Sequence, residues 1–446
     1  MPIKTALTVI TFVALTLLPQ VAPALKNYQS LDPRNIIKVL DLPIPKIKTA
    51  AEPETVSVKQ MELRAPSHLS DPTRSLDHFY EALRKGGTVR ILHYGDSPTT
   101  GDLITADARA LLQHEFGDAG IGFVLIARPW AWYNHRGVDM DASHWKIDVA
   151  GIAQAKDGMH GLGGVSFLGS PGAIAEWSLH GALQETVEVA YLGQPEGGAF
   201  AVDAGEKELG TVETAAETKT PGYASFKIPA GATKFSVRVT NGNVRLYGAE
   251  FSRNRTGVIY SSLGINGANV TLLSHSFSER HWSAELRHYQ PDLVIVNYGT
   301  NESGFASFVD KTWAPEMKEV VRRLRVALPG ASVLLMSPMD RGERKTGGEI
   351  ETVPVLPRLV NIEARVANET GAAFFNTFEA MGGEGTMARW YTAEPRLVGA
   401  DFIHPMPAGA KIVGELLYGA LRDGYNDYKL RQLKADAQSS VNAVKR

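Results

Sequence analysis

The strongest constraint on this chain is a repeated switch between apolar runs and helical periods. "VRILHYG" (89–95) is a near-continuous apolar run that stops at Gly95. In "DLITADARALLQHEF" (102–116), Ile104, Ala108, Leu111, Leu112 and Phe116 then share one helical face. The same alternation recurs with apolar runs at "GVIYSSLG" (257–264), "DLVIVNYG" (292–299), "ASVLLMSP" (331–338) and "AAFFNTF" (372–378). Helix-like stretches at 276–289, 313–328 and 356–371 separate them, and another at 407–421 follows. Strands without polar alternation have both faces covered, so the pattern predicts an α/β fold with a doubly wound parallel sheet.

Between the two halves the period becomes two. "ETVEVAYL" alternates through Val187, Val189 and Tyr191, and "KFSVRVT" through Phe235, Val237 and Val239. Helical signals are missing from about Trp145 to Arg253, which predicts an inserted β-sandwich over 145–253. The α/β domain is then split into 74–144 and 254–430, with a Pro-, Lys- and Ser-rich linker before it (25–73) and a flexible polar tail after it (431–446).

The first residues read "MPIKTALTVITFVALTLLPQVAPALK". A basic residue, an apolar stretch and Ala22-Pro23-Ala24 form a secretory signal over 1–24, and the stretch is short for a membrane span. The expectation is an exported protein, periplasmic or secreted, with no stable membrane span once the signal is removed. A net charge of −2 over 446 residues gives no electrostatic reason to expect nucleic acid. The absence of cysteine excludes disulfides, thiolate metal ligands and a cysteine nucleophile. No metal-site or nucleotide-phosphate motif appears, so neither metal nor cofactor is expected.

In a parallel α/β sheet, sites form in the loops at the carboxyl ends of the strands. Four such loops carry unusual residues: Gly95-Asp96-Ser97, "SSLGINGA" with Gly264 and Gly267, Gly299-Thr300-Asn301, and "GADFIHPMPAG" with Asp401 and His404. Taken singly, each is more often a helix cap or a tight turn. Together and in this order they resemble the SGNH (GDSL-type) serine hydrolases, whose blocks are GDS, a Gly-containing turn, GxN and DxxH. The resemblance implies a flavodoxin-like three-layer domain, with Ser97 as nucleophile, His404 as base and Asp401 as its orienting partner. It also implies an oxyanion hole from the N–H groups of Ser97 and Gly264 and the side chain of Asn301. Two departures stand out: block two lacks the leading Asn common in the family, which loosens the choice of glycine, and Asn301 is followed by Glu302 rather than Asp.

An SGNH domain interrupted by a jelly-roll-like module resembles bacterial peptidoglycan O-acetylesterases, in which the module resembles a carbohydrate-binding domain. The implied partner is an O-acetylated carbohydrate, and the implied reaction is acetyl removal through an acyl-serine. An O-acetyltransferase and a general lipase or carboxylesterase use the same residues, and a non-catalytic carbohydrate-binding protein is the remaining alternative. Trp130, Trp132 and Tyr133 in "ARPWAWYNHRG" are candidates for a substrate platform, since aromatic faces stack on sugar rings. The alternative is a hydrophobic hinge packing the insertion onto the α/β domain.

Overall fold

Six parallel strands and one antiparallel edge strand form the central sheet. The computed structural model describes residues 68–152 and 156–444, the side chains of 439–444 excepted. The strands are β1 (Leu69–Ser70), β2 (Thr88–Gly95), β3 (Asp118–Gly120), β4 (Gly257–Gly264), β5 (Leu293–Asn297), β6 (Ser332–Met336) and β7 (Ala373–Phe375). Their spatial order is β1-β7-β6-β5-β2-β4-β3. The five strands β2, β4, β5, β6 and β7, counted along the chain, take the doubly wound order 2-1-3-4-5, which reverses beside β2. The edge strand β1 pairs Leu69 with Phe375, so the linker expected to reach residue 73 ends before Leu69. The expected signal segment and the rest of the linker lie outside the described residues.

Helices α1 (Asp77–Lys85), α2 (Ile104–Phe116), α3 (Glu279–Tyr289), α4 (Ala314–Ala327), α5 (Leu356–Thr370) and α6 (Pro407–Val444) cover the sheet. Phe79, Ala108, Leu112 and Leu417 of α1, α2 and α6 pack with Ile91 and Ile295 on one face. Trp282, Val320, Leu324 and Leu359 of α3, α4 and α5 pack with Tyr94 and Val296 on the other. Successive side chains of a strand point to opposite faces, which is why both layers need apolar partners and the strands read as unbroken apolar runs. Ser278 caps α3 by accepting the His281 N–H, and α6 opens on Pro407.

The expected flexible tail is helical instead. α6 continues to Val444, and Arg431 ion-pairs with Asp77 on α1. No Gly or Pro follows Gly424, and Leu, Lys, Arg, Ala and Gln dominate, so nothing in the sequence stops the helix.

The period-two region folds into two antiparallel sheets. One runs Lys207–Glu213, Ala199–Ala204, Lys234–Asn241, Ile174–Leu179, Val138–Ser143. The other runs Thr220–Lys227, Thr186–Gly193, Val244–Ser252, Val165–Gly169, Lys146–Val149, with Gly122–Leu125 also paired to Val244–Ser252. Phe167, Trp177, Val189, Phe200, Val237 and Phe251 fill the core of this module.

The module starts about twenty residues earlier than the expected boundary at 145, because Gly122–Leu125 and Val138–Ser143 both belong to its sheets. A short apolar run such as "IGFVLIA" (121–127) reads alike whether it lies in a parallel sheet or a sandwich, so its period cannot assign it. The loop between these two strands, 126–137, therefore belongs to the module. It lies against the carboxyl end of the α/β sheet, where the Asn134 N–H donates to the Thr100 carbonyl.

Candidate active site

Gly95 is paired with Gly264 on one side and Asn297 on the other, so β2, β4 and β5 end together at one rim. Three of the four unusual loops leave the sheet there. Ser97 opens the short helix Ser97–Thr100 directly after β2. The fourth segment, just before α6, brings Asp401 and His404 to the same rim.

The His404 Nε2 lies 2.8 Å from the Ser97 Oγ, and its Nδ1 lies 2.6 Å from the Asp401 Oδ2. The other oxygen of Asp401 accepts the N–H groups of Ile403 and His404, each at 3.1 Å. Burial pulls the Asp401 pKa up, but the hydrogen bond from His404 and those two amides outweigh it, so the group sits below its ordinary value. A carboxylate fixed in this way orients the imidazole, and an imidazole facing a hydroxyl can take its proton. The segment is held by Phe402, whose carbonyl accepts the Gly342 N–H and whose buried ring packs edge-on against Tyr391. Phe402 has φ +58°, an unfavourable backbone for an aromatic residue.

The glycine assignment changes. Gly264 lies inside the parallel ladder, and the next amide, Ile265 N–H, donates to the Gly95 carbonyl. Ladder amides alternate in direction, so the Gly264 N–H points away from β2. A Cβ at Gly264 would stand 2.3 Å from the Thr100 backbone nitrogen, so this glycine is required for packing against the Ser97–Thr100 helix. In the turn that follows, Ala268 N–H donates to the Ile265 carbonyl, and Gly267 has φ +70° with open space around it. A left-handed residue at that place makes a type II turn, whose central amide faces outward. In the block-two loop the Gly267 N–H is therefore a backbone donor that faces outward.

Asn301 donates one side-chain hydrogen to the Ala268 carbonyl at 2.7 Å and retains a second. Glu302 beside it is buried, and its Oε1 accepts the Val270 N–H at 2.7 Å. Burial pushes the Glu302 pKa up to about 8, its hydrogen bonds opposing and the nearby Asp96 charge adding to the rise. Asp96, also buried, is pushed up to about 7 by burial, against hydrogen bonds from Thr300 and the field of His404.

A pocket of about 490 Å³ opens beside Ser97 and His404, lined also by Leu103, Trp132, Asn134 and Asn266. Of the three expected platform aromatics only Trp132 faces it, at 57 % exposure. Tyr133 is a core residue whose hydroxyl accepts the Leu125 N–H, and Trp130 packs partly buried against it, ring edge to ring face. The hinge alternative describes those two. Their loop is anchored on Asp102, a fully buried carboxylate that accepts from Arg109, Thr105 and the Arg136 N–H. Burial raises the Asp102 pKa, but Arg109 and the other donors prevail and hold it down at about 2.

The sequence marks neither Asp102 nor Phe402 as part of this site, and it shows no role for Glu302. Glu302 was visible as a departure from the usual block three. Asp102 looked like an ordinary residue at a helix start, and nothing local marks Phe402 as left-handed.

The GDSL-like lipase/acylhydrolase family model matches residues 229–412, which contain blocks two to four; Ser97 lies outside, on the far side of the insertion. Among solved structures, one of a peptidoglycan O-acetylesterase has 22 % identity and a TM-score of 0.69, over 81 % of this chain and 99 % of that one. An α/β hydrolase enzyme from the Lake Arreo metagenome has 17 % identity and a TM-score of 0.28, over 37 % and 73 %. An active-site mutant of a family two carbohydrate esterase from Clostridium thermocellum has 11 % identity and a TM-score of 0.26, over 64 % and 98 %. No curated protein matches the sequence. The fold is therefore shared along most of the chain with that peptidoglycan O-acetylesterase structure, and the GDSL-like lipase/acylhydrolase model spans the later blocks.

Proposed function

We propose that this protein is an SGNH (GDSL-type) serine esterase, that it is exported, and that it removes O-acetyl groups from cell-wall polysaccharide, most specifically peptidoglycan, through an acyl-serine intermediate. The observation that carries the reading is the chain of contacts from Ser97 Oγ through His404 to Asp401. The fold shared with a peptidoglycan O-acetylesterase, the signal-like first residues and a pocket that no described Lys, Arg, Asp or Glu lines support the substrate class and the location.

In this mechanism His404 accepts the proton of Ser97 as Oγ attacks the acetyl carbonyl. Asp401 holds the tautomer and stabilises the imidazolium. The oxyanion is received by the N–H groups of Ser97 and Gly267 and by the remaining hydrogen of Asn301. His404 then protonates the departing sugar oxygen, which leaves as the free hydroxyl. Water, deprotonated by the same imidazole, attacks the acyl-serine, and acetate and the free Ser97 hydroxyl are regenerated.

The test is acetate release from O-acetylated peptidoglycan by wild type and Ser97→Ala, with and without an added oligosaccharide acceptor. The reading requires release by wild type, loss in the variant, and no diversion of acetyl to the acceptor. Acetylated acceptor in place of acetate would make the protein a transferase.

A further inference from the structure

The pocket beside Ser97 is walled by both parts of the chain. Leu103 and His404 come from the α/β domain, and Trp132 and Asn134 from the module loop 126–137. The indole of Trp132 is 57 % exposed but fixed: its Nε1 donates to Asn266 Oδ1 at 3.1 Å. Its neighbours in sequence anchor the loop from below through the Tyr133 hydroxyl, the Asn134 N–H and the Arg136 N–H. A flat apolar face that is already immobilised loses little freedom when a ligand covers it. Among the described residues no Lys or Arg lines the pocket, so none of them there balances a phosphate or a uronate.

We propose that Trp132 is the stacking platform for the sugar ring that carries the ester, and that the site selects esters of neutral pyranoses. Asn134 and Asn266 flank the indole and offer side-chain amides to ring hydroxyls. This combination of one aromatic face and a few polar groups is how compact ligand sites fix orientation. The module thus contributes to specificity directly, through one residue at the reacting centre. The proposal rests on the esterase reading of the same site.

The experiment compares kcat/KM for an O-acetylated methyl glucoside with that for ethyl acetate, which has no ring, in wild type, Trp132→Phe and Trp132→Ala. The ratio of glucoside to ethyl acetate should fall at least about tenfold in Trp132→Ala, mainly through KM. Trp132→Phe keeps an aromatic face, smaller and without the indole N–H, so it should retain most of the ratio. A Trp132→Ala ratio within about twofold of wild type would overturn the proposal, since truncating an aromatic anchor costs more than that. An equal fall in both variants would also overturn it, by assigning the effect to the Asn266 hydrogen bond. Failure of the esterase reading would look different: Ser97→Ala would hydrolyse ethyl acetate as fast as wild type.

Discussion

Glu302 reaches from the loop after β5 to the Val270 amide in the loop after β4, with its Oε1 2.7 Å from that nitrogen. Asn301 makes the parallel contact to the Ala268 carbonyl. These two bonds fix the turn that presents the Gly267 N–H. Glu302→Ala should therefore lower kcat by up to about 10²-fold, the scale of a small misplacement of reacting groups. KM should move little. Glu302→Gln keeps an accepting oxygen and should recover most of the rate. Steady-state kinetics on an acetyl ester check this, and equal rates for the Ala variant and wild type would contradict it.

Gly264 and Gly267 should respond differently to alanine. At Gly264 a Cβ meets the Thr100 backbone, and overpacking of that kind costs about 1–3 kcal/mol or more. At Gly267 there is room, and the cost is about 1 kcal/mol for the left-handed backbone. Thermal melts should show Gly264→Ala strongly destabilised and Gly267→Ala still folded and only mildly destabilised, and equal melting temperatures for the two variants would contradict this.

The buried acids set a pH dependence of stability. Burial pushes Glu302 and Glu285 from 4.5 to about 8 and Asp96 from 3.8 to about 7. Each raised group favours folding fully below its unfolded pKa and loses that contribution as pH rises through its folded pKa. Buried His93 and His281 work in the opposite sense, pushed down by burial from 6.5 to about 3 and about 4, but their effect is complete by pH 6.5. Above that point the acids decide, so the Tm should fall between pH 6.5 and 8, with a shallower slope in Glu285→Gln. A flat or rising Tm over that range would contradict the burial argument.

Asp102 should matter for stability more than for chemistry. Removing it leaves Arg109 buried without its partner, and breaking such a pair costs about 3–5 kcal/mol. Urea unfolding of Asp102→Ala should show that loss, and it should loosen the Trp132 loop that hangs on the same carboxylate.

The sheet was legible because its strands are buried on both faces, and the stripes of α2 and α4 were legible because their periods are unbroken. Ser97, Asn301, Asp401 and His404 were legible as an ordered set. Three features were hidden for physical reasons. The run at 121–127 has no alternation to show which sheet it joins. The choice between Gly264 and Gly267 depends on which way an amide points, which residue type does not encode. The difference between Trp132 and its neighbours Trp130 and Tyr133 lies in burial, set by a loop anchored on the distant carboxylate of Asp102.

The account stands most directly on the identity of the acylated residue. Protein quenched during turnover of p-nitrophenyl acetate and analysed by peptide mass spectrometry should carry one acetyl group on the peptide containing Ser97. The acetyl should be absent from Ser97→Ala, with kcat reduced by about 10⁴-fold or more. Acetyl on another residue, or wild-type turnover in Ser97→Ala, would contradict it.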